Sequence, residues 1–226
     1  MANNLRKFVD NAAYSAATLV KPAVSLIADT DAVYFDPKEV VPPTVNGDIS
    51  LTFNITNASQ DVNLWHNDES GGVLEPANMW VDGVEVTPVN SWRFSTTGEH
   101  TVVFEISDGG LGKSIPEKVF NTITMTNAII GDDVVEIDGM AFYECPNLTS
   151  VKIGSGITYI GSEAFRLNDS LESVIIEATT PPTLGSSAFA SYTNNYPIYV
   201  PAASVQTYKT ATGWSTYATR IFAIPS

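Results

Sequence analysis

The sequence predicts a mainly β protein, in which a small β-sandwich is followed by a short repeat solenoid. Three observations lead there. Short runs that alternate apolar and polar residues recur through the first half, separated by turn residues. A motif ending in Ala-Phe returns about every 23 residues through the second half. One cysteine in 226 residues excludes an internal disulfide framework and a Cys-rich zinc site, so apolar burial has to hold the fold.

The composition permits that burial. The chain is 44% hydrophobic and 10% aromatic, enough for one large domain or two small ones. Eleven basic residues against 25 acidic ones leave a net charge of -14, and nucleic acid is a poor partner for such a chain. Twenty of the acidic residues, with four basic ones, lie between Asp29 and Glu144. After Glu177 only Lys209 and Arg220 are charged. No window of eighteen apolar residues predicts a membrane span. The polar start, Met1 to Asp10, and the later interruption by Lys21 and Pro22 make a poor signal peptide.

Residues 38–112 carry the sandwich signals. Ile49, Leu51, Phe53 and Ile55 alternate with polar partners, as a half-buried strand requires. Asp82-Gly83, between Trp80-Val81 and Val84-Glu85, predicts a tight hairpin. Trp92 and Phe94 form another short strand, and Thr97-Gly98 a turn. His100, Val102, Phe104 and Ile106 follow at period two. Short strands at this spacing predict an immunoglobulin-like (Ig-like) sandwich without the antibody-type disulfide.

Residues 113–226 carry the repeat and its cap. Ile137-Asp138-Gly139-Met140-Ala141-Phe142, then Leu148 and Val151-Lys152-Ile153, is matched 23 residues on by Ile160-Gly161-Ser162-Glu163-Ala164-Phe165, Leu171 and Val174-Ile175-Ile176. A third copy, with Leu184, Ala188-Phe189 and Ile198-Tyr199-Val200, follows at a spacing of 24. A weaker copy, Ile115 to Phe120 and then Ala128-Ile129-Ile130, comes first and is one residue shorter. Each unit reads as an Ala-Phe turn followed by a strand whose Val and Ile point inward. No unit can bury its own Phe and Leu, so the copies have to stack. Pro201 opens a C-terminal cap, with Val205 and Tyr208 on one helical face, Gly213 as its stop, and a last strand from Ile221 to Ile224.

These residues resemble the BspA-like leucine-rich repeat family, over about residues 113–224. Cys145 falls on that pattern's small buried position, where the next copies carry Asn168 and Tyr192. The first copy departs by lacking Ala before its Phe, and the third by carrying Asn195 where Leu is expected.

Residues 1–37 belong to neither unit and read as an anchoring segment. Leu5, Phe8, Tyr14, Leu19, Ile27, Tyr34 and Phe35 are more apolar residues than so short a stretch can bury alone. Arg6, Lys7 and Lys21 make it locally basic on an acidic protein, suited to an acidic docking surface. Folding back as an extra strand, or pairing between protomers, is the competing fate. The segment resembles the leader of virion fibre and decoration proteins of gut bacteriophages. That resemblance implies attachment to a capsid protein.

Chemistry has few candidates. His66 lies in Trp65-His66-Asn67-Asp68-Glu69, yet no motif supplies a nucleophile or a second metal ligand; a hydrolase is disfavoured and a loop histidine expected. His100, at a strand start, is structural. Asp29, Asp31 and Asp36, or Asp132 with Asp133, offer oxygen ligands of the kind calcium takes, but neither set follows EF-hand spacing and turn formation is the better reading. Four glycosylation sequons, at Asn54, Asn57, Asn147 and Asn168, reflect an Asn/Thr-rich strand surface. No cofactor and no metal site is expected.

The outward positions of the repeat strands are more informative. Ile129, Lys152, Ile175 and Tyr199 stand mid-strand in successive copies, and apolar residues in an exposed column suit a partner strip. Packing against the sandwich or a neighbouring chain explains them equally well. The function expected is a non-enzymatic structural protein on the exterior of a bacteriophage capsid, a head fibre or decoration protein. It would be anchored by its N-terminus, be a homo-oligomer (dimer or trimer), and use its repeats for adhesion to a glycan or protein of a host or mucosal surface. A bacterial cell-surface or secreted BspA-like adhesin is the alternative, and export by a signal peptide separates the two.

Overall fold

The computed structural model describes residues 48–58, 61–65, 74, 76–106, 113–120, 122, 124–191 and 195–225. The first half contributes β1 (Asp48–Ile55), β2 (Asp61–Asn63), β3 (Pro76–Val81), β4 (Val84–Val86), β5 (Ser91–Arg93) and β6 (Gly98–Ile106). Strict alternation puts Ile49, Leu51, Phe53 and Ile55 of β1 in the core, as their spacing predicts. The β3–β4 hairpin turns on Asp82 and Gly83, with φ of 50° and 78°. Two consecutive residues in the left-handed region are what a two-residue hairpin turn demands, and Asp-Gly tolerates it best. Strands β2 and β5 pair as a separate small sheet, tied by a two-pronged Arg93–Asp61 contact with both hydrogen bonds at 2.9 Å. Phe94 beyond β5 packs 6.3 Å from Phe53, and Trp65 beyond β2 meets Phe104 edge-on at 5.2 Å. The small sheet thus covers one face of the larger one.

The second half contributes β7 (Lys113–Ile115), β8 (Met125–Ile130), β9 (Val134–Ile137), β10 (Ser150–Ile153), β11 (Tyr159–Ile160), β12 (Ser173–Ile176), β13 (Thr183–Leu184) and β14 (Ile198–Val200). A helix, α1 (Val205–Thr210), and β15 (Ile221–Ala223) complete it. The chain winds between two parallel ladders: β8, β10, β12, β14 and β15 on one side, and β7, β9, β11 and β13 on the other. Val151 faces Ala128 and Val174 across the first ladder, which is the 23-residue register of the alignment. The shortened first copy also shows itself. Ile115 pairs with Ile137, 22 residues on, whereas Ile130 pairs with Ile153, 23 on.

Between the ladders, the Ala-Phe turns stack. Phe120, Phe142, Phe165 and Phe189 lie ring on ring, at centroid spacings of 5.0, 5.0 and 5.3 Å. The turn backbones interlock as well: Phe142 N–H donates to Ala164 O, and Phe165 N–H to Ala188 O, both at 2.8 Å. Close approach explains the glycines of the Ile-Gly pairs, since a Cβ on Gly161 would run into the backbone of Asp138 and Gly139. At the far end Trp214 continues the stack 5.8 Å from Phe189, and its Nε1–H donates to Pro182 O at 2.8 Å.

The two halves are not beads on a string. Strand β1 pairs with β6 on one edge and, antiparallel, with β8 on the other, so a single nine-stranded sheet runs β15-β14-β12-β10-β8-β1-β6-β3-β4. Phe104 of β6 also lies 6.2 Å from Phe120, which carries the aromatic stack into the first half. Among the described residues the first half is therefore four strands of a shared sheet faced by the two-stranded β2–β5 sheet. These strands do not by themselves compose the Ig-like sandwich that the alternating runs predict. Alternation reports which face of a strand is buried, and says nothing about which strand lies beside it.

Candidate partner-binding face

Parallel register at a near-constant repeat length lines up equivalent residues in rows across the sheet. The mid-strand row of the large sheet runs Glu85, Trp80, Val103, Ser50, Ile129, Lys152, Ile175, Tyr199 and Phe222, from β4 to β15. All four residues expected to form the strip are brought together in it. Ile129 is 40% exposed, Lys152 is exposed and ion-paired to Glu177 at 3.1 Å, and Ile175 and Tyr199 are half-buried. Towards the first half the row closes, Ser50 being 8% and Val103 1% exposed. Among the described residues the strip does not pack against the front strands, one of the two explanations the sequence leaves open. Strands β1, β6, β3 and β4 extend the same sheet sideways and do not lie over this part of it.

Phe222 is the residue that the strip lacked. It is 48% exposed, pairs in register with Tyr199, and its ring lies 6.4 Å from the tyrosine's. Its signal was present, for it follows Tyr199 by 23 residues in the same in-out pattern, Ile221-Phe222-Ala223. Reading the tail as a cap hid it.

The remaining candidates separate cleanly. His100 is buried, with Nδ1 2.7 Å from Asp82 Oδ2, Nε2 3.0 Å from Thr96 O, and its ring 4.5 Å from Phe94. It clamps the hairpin turn to the strand beside it. Asp132 Oδ1 accepts the Ser155 N–H at 2.7 Å and its hydroxyl at 2.9 Å, and these bonds hold its carboxyl below the usual range. It fastens one repeat's turn to the next. Cys145 is buried and bonded to Phe120 O, and burial pushes its thiol up to about 12, the reverse of what a nucleophile needs.

Asn168 corrects the surface reading of the sequons. It is buried, its Oδ1 accepting Cys145 N–H at 2.7 Å and its Nδ2 donating to Phe142 O at 2.9 Å. An inward turn of the chain, rather than a strand surface, holds it. Among the described residues no group of His, Cys, Asp and Glu is placed to hold a metal, and no helix is long and apolar enough to cross a membrane. His66, Asp29, Asp31, Asp36, Tyr192 and the anchoring residues Leu5, Phe8, Tyr14, Leu19, Ile27, Tyr34 and Phe35 lie outside the described residues.

The stacked Ala-Phe turns, the paired ladders and the open outer row have a counterpart among known families. Residues 113–218 match the model for the BspA type leucine-rich repeat region, in six copies. These residues, just under half of the chain, are similar to a BspA-type leucine-rich repeat region. The match counts two copies more than the four that align by eye. The tail takes the form of a further rung, with Trp214 in the place of the stacked Phe and, just beyond the matched residues, β15 beside β14. No curated protein matches the chain.

Proposed function

We propose that this chain is a non-enzymatic surface-recognition protein whose BspA-type repeats present the open face of their sheet to a host or mucosal surface. One observation carries the reading. Ile129, Ile175, Tyr199 and Phe222 form an apolar row, broken only by Lys152, on a face that the described strands of the first half do not cover. Exposed and half-buried apolar residues arranged in a row, interrupted by one ion-paired lysine, suit a partner contact better than a solvated surface.

Binding of the whole chain to an immobilised mucin glycoprotein, followed by surface plasmon resonance, tests this. Ile129→Asp and Ile175→Asp should each abolish binding while leaving the far-UV circular dichroism unchanged. Binding at parental strength by both variants would remove the strip from the reading.

Placement on a capsid exterior, by residues 1–37 docked on a capsid protein, is supported by the apolar, locally basic composition of that segment and its resemblance to phage leaders. Mass spectrometry of purified particles decides it, and absence of the chain from virions would overturn it. Oligomeric order, dimer or trimer, is read by sedimentation of the intact chain.

A further inference from the structure

At the β15 end of the open face lies a shallow depression of about 600 Å³, lined by Asn195, Pro197, Tyr199, Thr219, Arg220 and Phe222. Its volume falls within the roughly 300–1,000 Å³ of small-ligand sites. Its chemistry is unusual for this protein. Arg220 is only 9% exposed, and no carboxylate among the described residues comes within salt-bridge distance of it. Its guanidinium carbon lies 4.8 Å from the ring centres of both Tyr196 and Tyr217, Nη2 donates to Phe189 O at 3.0 Å, and the Tyr196 hydroxyl is a further hydrogen-bond partner. Aromatic faces, one hydroxyl and one carbonyl orient a buried cation but do not neutralise it.

The surroundings reinforce that charge. Lys209 and Arg220 are the only charged side chains after Glu177. The Lys209 ammonium lies 6.0 Å from the Phe222 ring centre, so both cations gather at one end of a chain whose net charge is -14. Beside them stand an exposed phenyl ring and a tyrosine ring, with an amide from Asn195 and a hydroxyl from Thr219 at the margin. A flat apolar surface suits the C–H face of a sugar ring, hydroxyl and amide groups suit its hydroxyls, and a guanidinium suits a carboxylate.

We infer that this depression binds a carboxylate-bearing sugar, the acidic residue of a glycan, with Arg220 receiving the carboxylate and the Tyr199–Phe222 pair the ring. The inference deepens the surface-recognition reading, on which it rests for the biological setting. It is tested without any surface, so the two can fail separately.

The whole chain is titrated with glucuronate and with glucose, and likewise with sialyllactose and with lactose, by ligand-observed NMR and calorimetry. The acidic sugar of each pair should bind more tightly by roughly ten- to a hundredfold, the value of a charge-assisted hydrogen bond. Phe222→Ala, an exposed position, should keep the fold and weaken both acidic sugars. Arg220→Gln should abolish the preference for acid over neutral sugar. Should Arg220→Gln fail to fold, Phe222→Ala carries the test. Equal binding of glucose and glucuronate, acetate binding as tightly as glucuronate, or acidic-sugar binding unchanged in Phe222→Ala would each overturn the inference. So would concentration-dependent self-association abolished by Phe222→Ala, since the occupant would then be a second copy of the chain. Mucin adhesion that persists without acidic-sugar binding would end this inference and leave the broader one standing.

Discussion

The two halves of the large sheet are built from the same kind of strand by different rules. In the repeat half each strand lies beside its successor because the intervening turn is the same every time, and the turns themselves stack ring on ring. In the front half neighbours are far apart in sequence: β1 pairs with β6, about 50 residues on, and with β8 further still. Stability of the first kind is a sum of nearest-neighbour contacts, and stability of the second depends on closing long loops. Strand β1 makes the two interdependent. It covers the edge that β8, the first strand of its ladder, would otherwise leave open, a role taken elsewhere by a capping repeat.

Breaking the stack should produce the largest effect. Phe165 is sandwiched between Phe142 and Phe189, and Phe165→Ala should cost about 3–5 kcal/mol in chemical denaturation, the range for truncating a buried aromatic. Phe142→Ala, also flanked on both sides, should fall in the same range. A loss below about 1 kcal/mol would contradict the stacked core.

The seam comes next. Leu51 is buried in β1, opposite Val102 on one side and Ala128 on the other. Leu51→Ala should cost about 2–5 kcal/mol. Because β1 serves both halves, hydrogen exchange should quicken in β6 and β8 together. Acceleration confined to β6 would show that the halves unfold independently.

A smaller effect tests the polar contacts between turns. Asn168→Ala leaves the Cys145 N–H and the Phe142 carbonyl without their partner, at a cost of about 1–3 kcal/mol. Chemical denaturation measures it, and a change below about 0.5 kcal/mol, the range of an ordinary surface substitution, would contradict the contact.

The smallest effect is electrostatic, and its sign is definite. Asp138, in the turn before the Phe142 stack, has its carboxyl pushed up by burial and by the neighbouring charges of Glu136 and Glu117. A carboxyl that holds its proton more tightly when folded stabilises the fold at low pH, and loses that contribution as pH rises through its folded value. Asp138→Asn should therefore be the more stable protein at pH 7, with the difference shrinking as pH falls towards about 4, the ordinary carboxylate range. Thermal melts across that interval check it, and a gap that widens on acidification would reverse the assignment.

What the amino-acid sequence determined by itself is whatever a local period encodes. The 23-residue spacing placed Phe142, Phe165 and Phe189 in one stack and Ile129, Lys152, Ile175 and Tyr199 in one row, because identical turns impose identical register. Asp82-Gly83 specified its hairpin, because few other pairs accept two left-handed residues in succession. Tertiary structure alone decided the rest. That β1 joins β8 follows from which edges were free and which faces apolar, and neither is written within eight residues of either strand. Asn168 stands between the two: the repeat register put it on the buried Cys145 position although its sequon reads as surface, and the interior of the turn supplied its donor and acceptor. Arg220 became a buried cation only when the distant Tyr196 joined the nearby Tyr217 around its guanidinium, each ring centre 4.8 Å away.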